Sequence, residues 1–181
     1  MQIPDDLLAW AIDETRTWIQ QQRDLHRPAG GELPAVAKDA VRPFFPPAVL
    51  DNARVAIVPA IPTPPFLEQA RDLGVPVEGI KFSGLEGLML VDTILISQAV
   101  PPADPLRLMF HELVHAVQYE MLGLDEFSRQ YVRGIVEGEF DYYRIPLEVI
   151  AYDLDRRFSD NPGAAFSVLD EVRRLLKGGP S

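Results

Sequence analysis

Residues 110–123 read FHELVHAVQYEMLG, and this stretch decides what fold the chain is expected to adopt. The pair Asp104-Pro105 before it is a typical helix start, and Gly123 at its end is a typical helix stop. Within it, apolar residues recur at helical spacing and form one stripe: Phe110, Val114, Val117 and Met121. The sequence therefore predicts a helix over about 105–122 that turns this stripe towards a core.

The same helix carries the motif H-E-x-x-H, made by His111, Glu112 and His115. At about 100° per residue, the two His lie about 40° apart, on a different face from the apolar stripe. Two imidazoles one turn apart aim at one point, which is typical of a zinc site in which the intervening Glu acts as a general base. In a shuffled chain of this composition the motif is expected on the order of 0.003 times. The motif therefore indicates a metal site rather than a chance pairing.

A catalytic zinc ion needs a third protein ligand, and the composition restricts its type. The only other histidine is His26, far upstream, and the chain has no Cys. A carboxylate must therefore serve, and six lie downstream: Glu137, Glu139, Asp141, Glu148, Asp153 and Asp155. Glu148 is favoured because helical spacing over 146–158 sets it beside Tyr152 and Asp155, away from that helix's apolar stripe. The alternatives are that Glu148 only complements a helix dipole, or that Glu137 or Glu139 is the ligand.

Around this motif the chain predicts one α+β domain over residues 1–181. Helices are expected at 4–25, 126–137, 146–158 and 164–177, and short strands at 53–59, 78–83 and 93–97. Seven prolines fall between Pro43 and Pro65, so the region 28–65 is expected to hold little regular structure beyond the first of those strands. The order of a helix, a few strands and then helices predicts a small sheet followed by a helical C-terminal half.

Composition excludes several classes of function. Seventeen Lys and Arg against 27 Asp and Glu give a net charge of −10, which argues against nucleic acid or anionic lipid as a partner. The absence of Cys excludes disulfides and thiol catalysis. No run of apolar residues reaches 18, so no membrane span is predicted. The acidic start MQIPDDLLAWAIDET is unlike a secretory signal. A cytoplasmic protein is therefore expected.

The segment HELVHAVQYEMLG, followed by IPLEVIAYDLD, resembles the gluzincin-type zincin metallopeptidases, and in particular their small bacterial single-domain members. The resemblance covers about residues 85–158. It implies zinc (Zn2+) bound by His111, His115 and Glu148, with Glu112 as the catalytic base. It also implies a small twisted sheet packed on the active-site helix, with one edge strand beside the substrate cleft; we expect that edge to be Thr93–Ser97.

Two further residues of such a site are predicted less directly. Gluzincins commonly carry Asp four residues after the ligand Glu, where this chain has Tyr152, so Tyr152, Asp153 or Asp155 is expected to orient a ligand His. Gluzincins also place a Tyr or His beside the developing oxyanion. Because no His is available, we expect Tyr143, ahead of Tyr142 and Tyr131, to serve.

The functional prediction is a zinc-dependent hydrolase, most simply a metallopeptidase that cleaves a peptide or protein substrate through a metal-activated water. The alternative is a zincin-like domain that binds metal without turnover and works as a binding or regulatory module. A third interpretation is a structural protein in which the motif carries no metal. Metal content and turnover separate these three.

Overall fold

The computed structural model describes residues 3–80 and 82–178, and over these residues seven α-helices pack around a four-stranded mixed sheet. The helices are α1 (Asp5–His26), α2 (Ala35–Val41), α3 (Pro47–Asn52), α4 (Phe66–Asp72), α5 (Pro105–Glu137), α6 (Pro146–Asp160) and α7 (Val168–Gly178). The strands are β1 (Gly31–Glu32), β2 (Arg54–Val58), β3 (Gly87–Leu90) and β4 (Thr93–Ser97). The predicted α+β class, with a small sheet and a helical C-terminal half, is confirmed.

The sheet has the strand order β1-β2-β4-β3, so β4 is an interior strand. It pairs parallel with β2 and antiparallel with β3. The prediction that Thr93–Ser97 forms the free edge is therefore wrong, and β3 occupies that edge. The physical reason lies in the sequence TILIS, which is buried on both faces as interior strands are.

The strand predicted at 78–83 is also wrong over the described residues of that stretch, 78–80 and 82–83; residue 81 lies outside the described residues. This segment forms two short 3-10 turns, Val77–Gly79 and Phe82–Gly84, and the strand begins only at Gly87. Pro76 and the two glycines that end these turns interrupt the extended pattern. The strands expected at 53–59 and 93–97 are confirmed as β2 and β4.

The proline-rich region 28–65 holds more regular structure than expected. Pro34 precedes α2, and Pro47 occupies the first turn of α3, where the missing N–H of proline costs nothing. Prolines that look like breakers therefore act here as helix starts. The two short helices pack beneath α5 and close the core from that side.

The long helix α5 contains both of the helices predicted over 105–122 and 126–137. Gly123 interrupts it with φ 72° and ψ 166°, a conformation open to glycine because it lacks a Cβ. The helices predicted at 4–25 and 146–158 are confirmed as α1 and α6, and α7 begins four residues later than the expected 164. No helix in residues 3–80 or 82–178 is both long and apolar enough to cross a bilayer.

An aromatic cluster fixes α5 against α6. The rings of Phe110 and Phe158 stack with centroids 4.3 Å apart, and Phe44 packs edge-on against both. Such a cluster buries large apolar area and sets one register between two helices. It brings the polar face of α5, next to the apolar stripe, into contact with the polar face of α6.

Candidate metal centre

Three buried acceptor atoms converge where α5 meets α6. The Nε2 atoms of His111 and His115 lie 3.2 Å apart, and Glu148 Oε2 lies 3.3 Å from the first and 3.4 Å from the second. All three residues are buried. This group can hold a metal ion. The structure thus brings together the three residues that the sequence predicted as ligands.

Asp155 orients the first imidazole. Its Oδ2 lies 3.0 Å from His111 Nδ1, and its Oδ1 accepts a hydrogen bond of 3.0 Å from Arg107. An ionised carboxylate at Nδ1 fixes the tautomer in which Nδ1 carries the proton and Nε2 faces the cluster. Of the three partners considered from sequence, Asp155 is therefore the one in place. Asp153 instead pairs with Arg156 at the surface, and Tyr152 packs its ring 4.6 Å from that of His111.

Gln118 orients the second imidazole. Its Oε1 lies 2.8 Å from His115 Nδ1, while its Nε2 donates to the Leu147 carbonyl at 2.9 Å. Because the amide nitrogen is committed to that carbonyl, its oxygen must face the ring and accept the proton on Nδ1. Sequence reasoning did not assign this role to Gln118. The available signal was a long polar side chain beside the two His on a helix, where full burial demands a partner.

Glu148, the third candidate ligand, is held in place by Tyr131. The Tyr131 hydroxyl donates to Glu148 Oε1 at 2.8 Å, whereas Glu148 Oε2 is buried without a hydrogen-bond donor. A buried acceptor left unpaired costs about 1–3 kcal/mol. The two imidazole Nε2 atoms face this oxygen and each other, so a cation placed among the three atoms would satisfy it.

The pKa values of His111 and Glu148 are shifted because the two groups lie so close together. Burial favours neutral His111, but its hydrogen bond to Asp155 and the nearby carboxylate of Glu148 outweigh burial and raise its pKa to about 10. Burial would raise the pKa of Glu148, yet the two imidazoles beside it lower that pKa well below the usual range. The two shifts have one origin, since the charged form of each group stabilises the charged form of the other.

Glu112 lies beside this group and faces the sheet edge. It is buried, and burial raises the pKa of its carboxyl despite the opposing charges of the two imidazoles. The edge strand β3 passes very close to it, since a Cβ built on Gly87 would lie 3.2 Å from Glu112 Oε1. Glycine at this position therefore allows the strand and the carboxylate to approach each other.

The remaining predicted site residues lie farther out. Tyr143 follows α5 in a short 3-10 turn and is 71% exposed, with its ring 5.6 Å from that of Tyr152. Its role at the oxyanion stays a prediction. Glu139 pairs with Arg144 at the surface, outside the group of three.

An apolar cleft opens onto the group. It is bordered by α1, α4, β3 and α5, and Glu112, His115 and Glu148 form part of its lining. Tyr131 and Tyr142 line it as well. The cluster therefore faces a space that a ligand can enter.

Comparisons with protein-family models, with curated proteins and with solved structures find no match for this chain. Functional assignment consequently rests on the residues and their geometry.

Proposed function

We propose that this protein is a zinc-dependent hydrolase of the zincin type that cleaves peptide bonds. The proposal depends on one observation: the acceptor atoms of His111, His115 and Glu148 face a common point, and each residue is held in place by a hydrogen bond from its other side. The buried carboxylate of Glu112 lies beside this point, at the end of a cleft. The position of the edge strand β3 against α5 also fits the sheet arrangement that the resemblance implies.

The spacing and type of the acceptors support zinc over Mg2+. Zinc binds His nitrogen and carboxylate oxygen at about 2.0–2.1 Å in tetrahedral geometry, so its ligands lie about 3.3 Å from one another. The three separations here are 3.2, 3.3 and 3.4 Å. Octahedral Mg2+, with oxygen ligands at about 2.1 Å, would bring neighbouring ligands to about 3.0 Å and rarely selects imidazole. Three protein ligands also leave the fourth zinc position open, as in catalytic sites.

The chemistry divides between the ion and the chain. A zinc ion held by His111, His115 and Glu148 would lower the pKa of water to about 7 and polarise a carbonyl. Glu112 would accept the proton of the attacking water and later transfer it to the leaving amine nitrogen. Tyr143 is our candidate donor to the oxyanion, because the Tyr131 hydroxyl is committed to Glu148.

The alternative of a metal-binding module without turnover arose from the missing Asp at residue 152 and from the short chain available to form a cleft. Asp155 supplies an equivalent carboxylate to His111 in this structure. The departure from the family pattern is therefore compensated three residues, or about one helical turn, away, and a cleft borders the three ligands, both of which favour the hydrolase.

The test is hydrolysis of an end-blocked peptide library by the zinc-loaded protein. We expect Glu112→Gln to lose about 10²–10⁴-fold in rate while it keeps its zinc, because the proton acceptor is removed but no ligand is. Glu120→Gln is the matched control, since Glu120 is on the same helix and exposed. Full activity in Glu112→Gln, or no hydrolysis by a wild-type protein that holds zinc, would overturn the proposal.

A further inference from the structure

The cleft that reaches the metal group is lined almost entirely by apolar and aromatic side chains. It runs from Leu7 and Trp10 on α1, past Phe66 on α4 and Leu88 on β3, to Val132 on α5. The enclosed space is about 130 Å³. An apolar cavity of about 150 Å³ holds a benzene molecule, so this space suits one large aliphatic or aromatic side chain.

Charge is confined to one end of this cleft. Among its described lining residues, the ionisable groups that carry charge near neutral pH are Glu112, His115 and Glu148, and none is Lys, Arg or Asp. Two of these three are assigned to the metal and the third to proton transfer. The rest of the described lining therefore holds no charged side chain that could form an ion pair with a charged side chain, a terminal carboxylate or a terminal amine of a substrate.

This distribution sets what can bind. A charged group that enters an apolar cleft loses its hydration without gaining a partner, whereas a large apolar side chain gains from burial. Exopeptidases need a fixed group of opposite charge to hold the chain terminus, and the described lining offers none apart from the site's own carboxylates.

We propose that the substrate of this site is an internal apolar segment of a polypeptide, with a large aliphatic or aromatic side chain seated in the cleft beside the bond to be cut. The proposal rests on the proposed function for the cleavage step. The binding preference itself depends only on the cleft, and it can be measured without turnover.

The chain supplies its own reporter for this measurement. Its two tryptophans, Trp10 and Trp18, both line the cleft, so their fluorescence responds when the cleft is filled. We would titrate zinc-loaded Glu112→Gln with end-blocked hexapeptides that differ only at a central residue, Phe, Leu, Lys or Asp. We expect the Phe and Leu peptides to bind at least tenfold more tightly than the Lys and Asp peptides.

A pair of substitutions on α1 tests whether the cleft is responsible. Ala11 lines the cleft, whereas Ala9 on the same helix is exposed and does not. In the same zinc-loaded background, Ala11→Phe should fill the space and weaken the Phe peptide at least tenfold, while Ala9→Phe should leave its affinity unchanged. The ranking of the four peptides stands as a test even if Ala11→Phe does not fold.

Lys or Asp peptides that bind as tightly as the Phe peptide would overturn the inference, as would tenfold tighter binding of peptides with free termini. These results are distinguishable from failure of the proposed function. An apolar preference in binding without Glu112-dependent hydrolysis rejects the hydrolase and supports the cleft. Glu112-dependent hydrolysis of peptides with charged central residues does the reverse.

Discussion

The two walls of the cleft differ in how their side chains are satisfied. On the wall made by α5 and α6, buried polar groups form chains that run outward from the metal group, such as His111 to Asp155 to Arg107. On the opposite wall, made by α1, α4 and the turn before β3, the described lining is apolar apart from Thr15, and these described residues form no such chain.

Under the proposed function, this difference separates two tasks within one small domain. The polar wall holds each ligand atom in one orientation, which a metal site requires. The apolar wall offers only shape and burial, which are suited to choosing among substrates. Substitutions on the first wall should therefore change metal affinity or rate, and substitutions on the second should change stability or binding.

Tyr143, on the 3-10 turn between α5 and α6, is the proposed donor to the oxyanion and the next residue to test. We expect Tyr143→Phe to lower kcat about 10²-fold with zinc content unchanged, because a hydrogen bond to the oxyanion is lost in the transition state alone. The measurement is kcat and KM on a peptide cleaved by the wild type. Wild-type kcat in the variant would reject Tyr143 as the donor. Tyr142→Phe is the matched variant, since Tyr142 is the neighbouring tyrosine and lines the cleft.

Asp155 is the next test of the polar wall. Asp155→Asn keeps the shape of the side chain but removes the charge that fixes His111, so zinc affinity should fall about 10–100-fold. The measurement is competition with a zinc chelator. Asp153→Asn on the same helix, whose side chain pairs at the surface, serves as the control. Equal affinities for the two variants would remove Asp155 from the account.

Gly87 lies where the edge strand β3 passes closest to α5. A Cβ there would lie 3.1 Å from Leu108 Cδ2 as well as close to Glu112. Gly87→Ala should therefore lower the free energy of unfolding by about 1–3 kcal/mol and reduce hydrolysis by displacing Glu112. Chemical denaturation measures the first effect. Gly84→Ala, which meets no atom within 4 Å, should change neither; identical stability for both variants would show that the close approach does not matter.

An ion pair fastens the apolar wall to the sheet. Arg23 on α1 donates two hydrogen bonds, of 3.0 and 2.8 Å, to the carboxylate of Asp92 at the turn between β3 and β4, and Arg27 lies 3.0 Å away. Burial acts to raise the Asp92 pKa, but the two guanidinium groups more than offset it and lower that pKa below normal.

The stability that this pair contributes should vanish in acid. Asp92 is charged in the folded protein down to a lower pH than in the unfolded chain, where its pKa is about 3.9. Relative to Asp92→Asn, the wild type should be more stable by about 1 kcal/mol above that pH, and the difference should disappear as the pH falls through the folded-state pKa. Unfolding free energies of both proteins at pH 3 and pH 6 measure it. A constant difference across this range would contradict the assignment.

Periodicity and helix signals were sufficient to place the helices that carry the site. Asp104, Pro105 and Gly123 marked the limits of the first half of α5, and Pro146 marked the start of α6. Glu148 could be selected because helical spacing separates polar from apolar faces regardless of tertiary structure. These features are local, and local features are what a single sequence encodes most directly.

Several of the errors concern non-local features. Strand order cannot be deduced from strand sequences alone, so Thr93–Ser97 was assigned to an edge although its apolar run suits an interior position. The contacts of Gln118 with Leu147 depend on how two helices pack, and the apolar wall is assembled from three separate segments. None of these has a signature within one stretch of chain.

The most direct test of the central claim is the zinc content of the purified, zinc-loaded and dialysed protein, in the wild type and in His115→Ala. His26→Ala is the matched control, since it replaces the one histidine outside the cluster. We predict about one zinc per chain in the wild type and in His26→Ala, and none in His115→Ala. A wild-type protein that retains no zinc, or a His115→Ala variant that retains as much as the wild type, would contradict the claim that these helices share one metal ion.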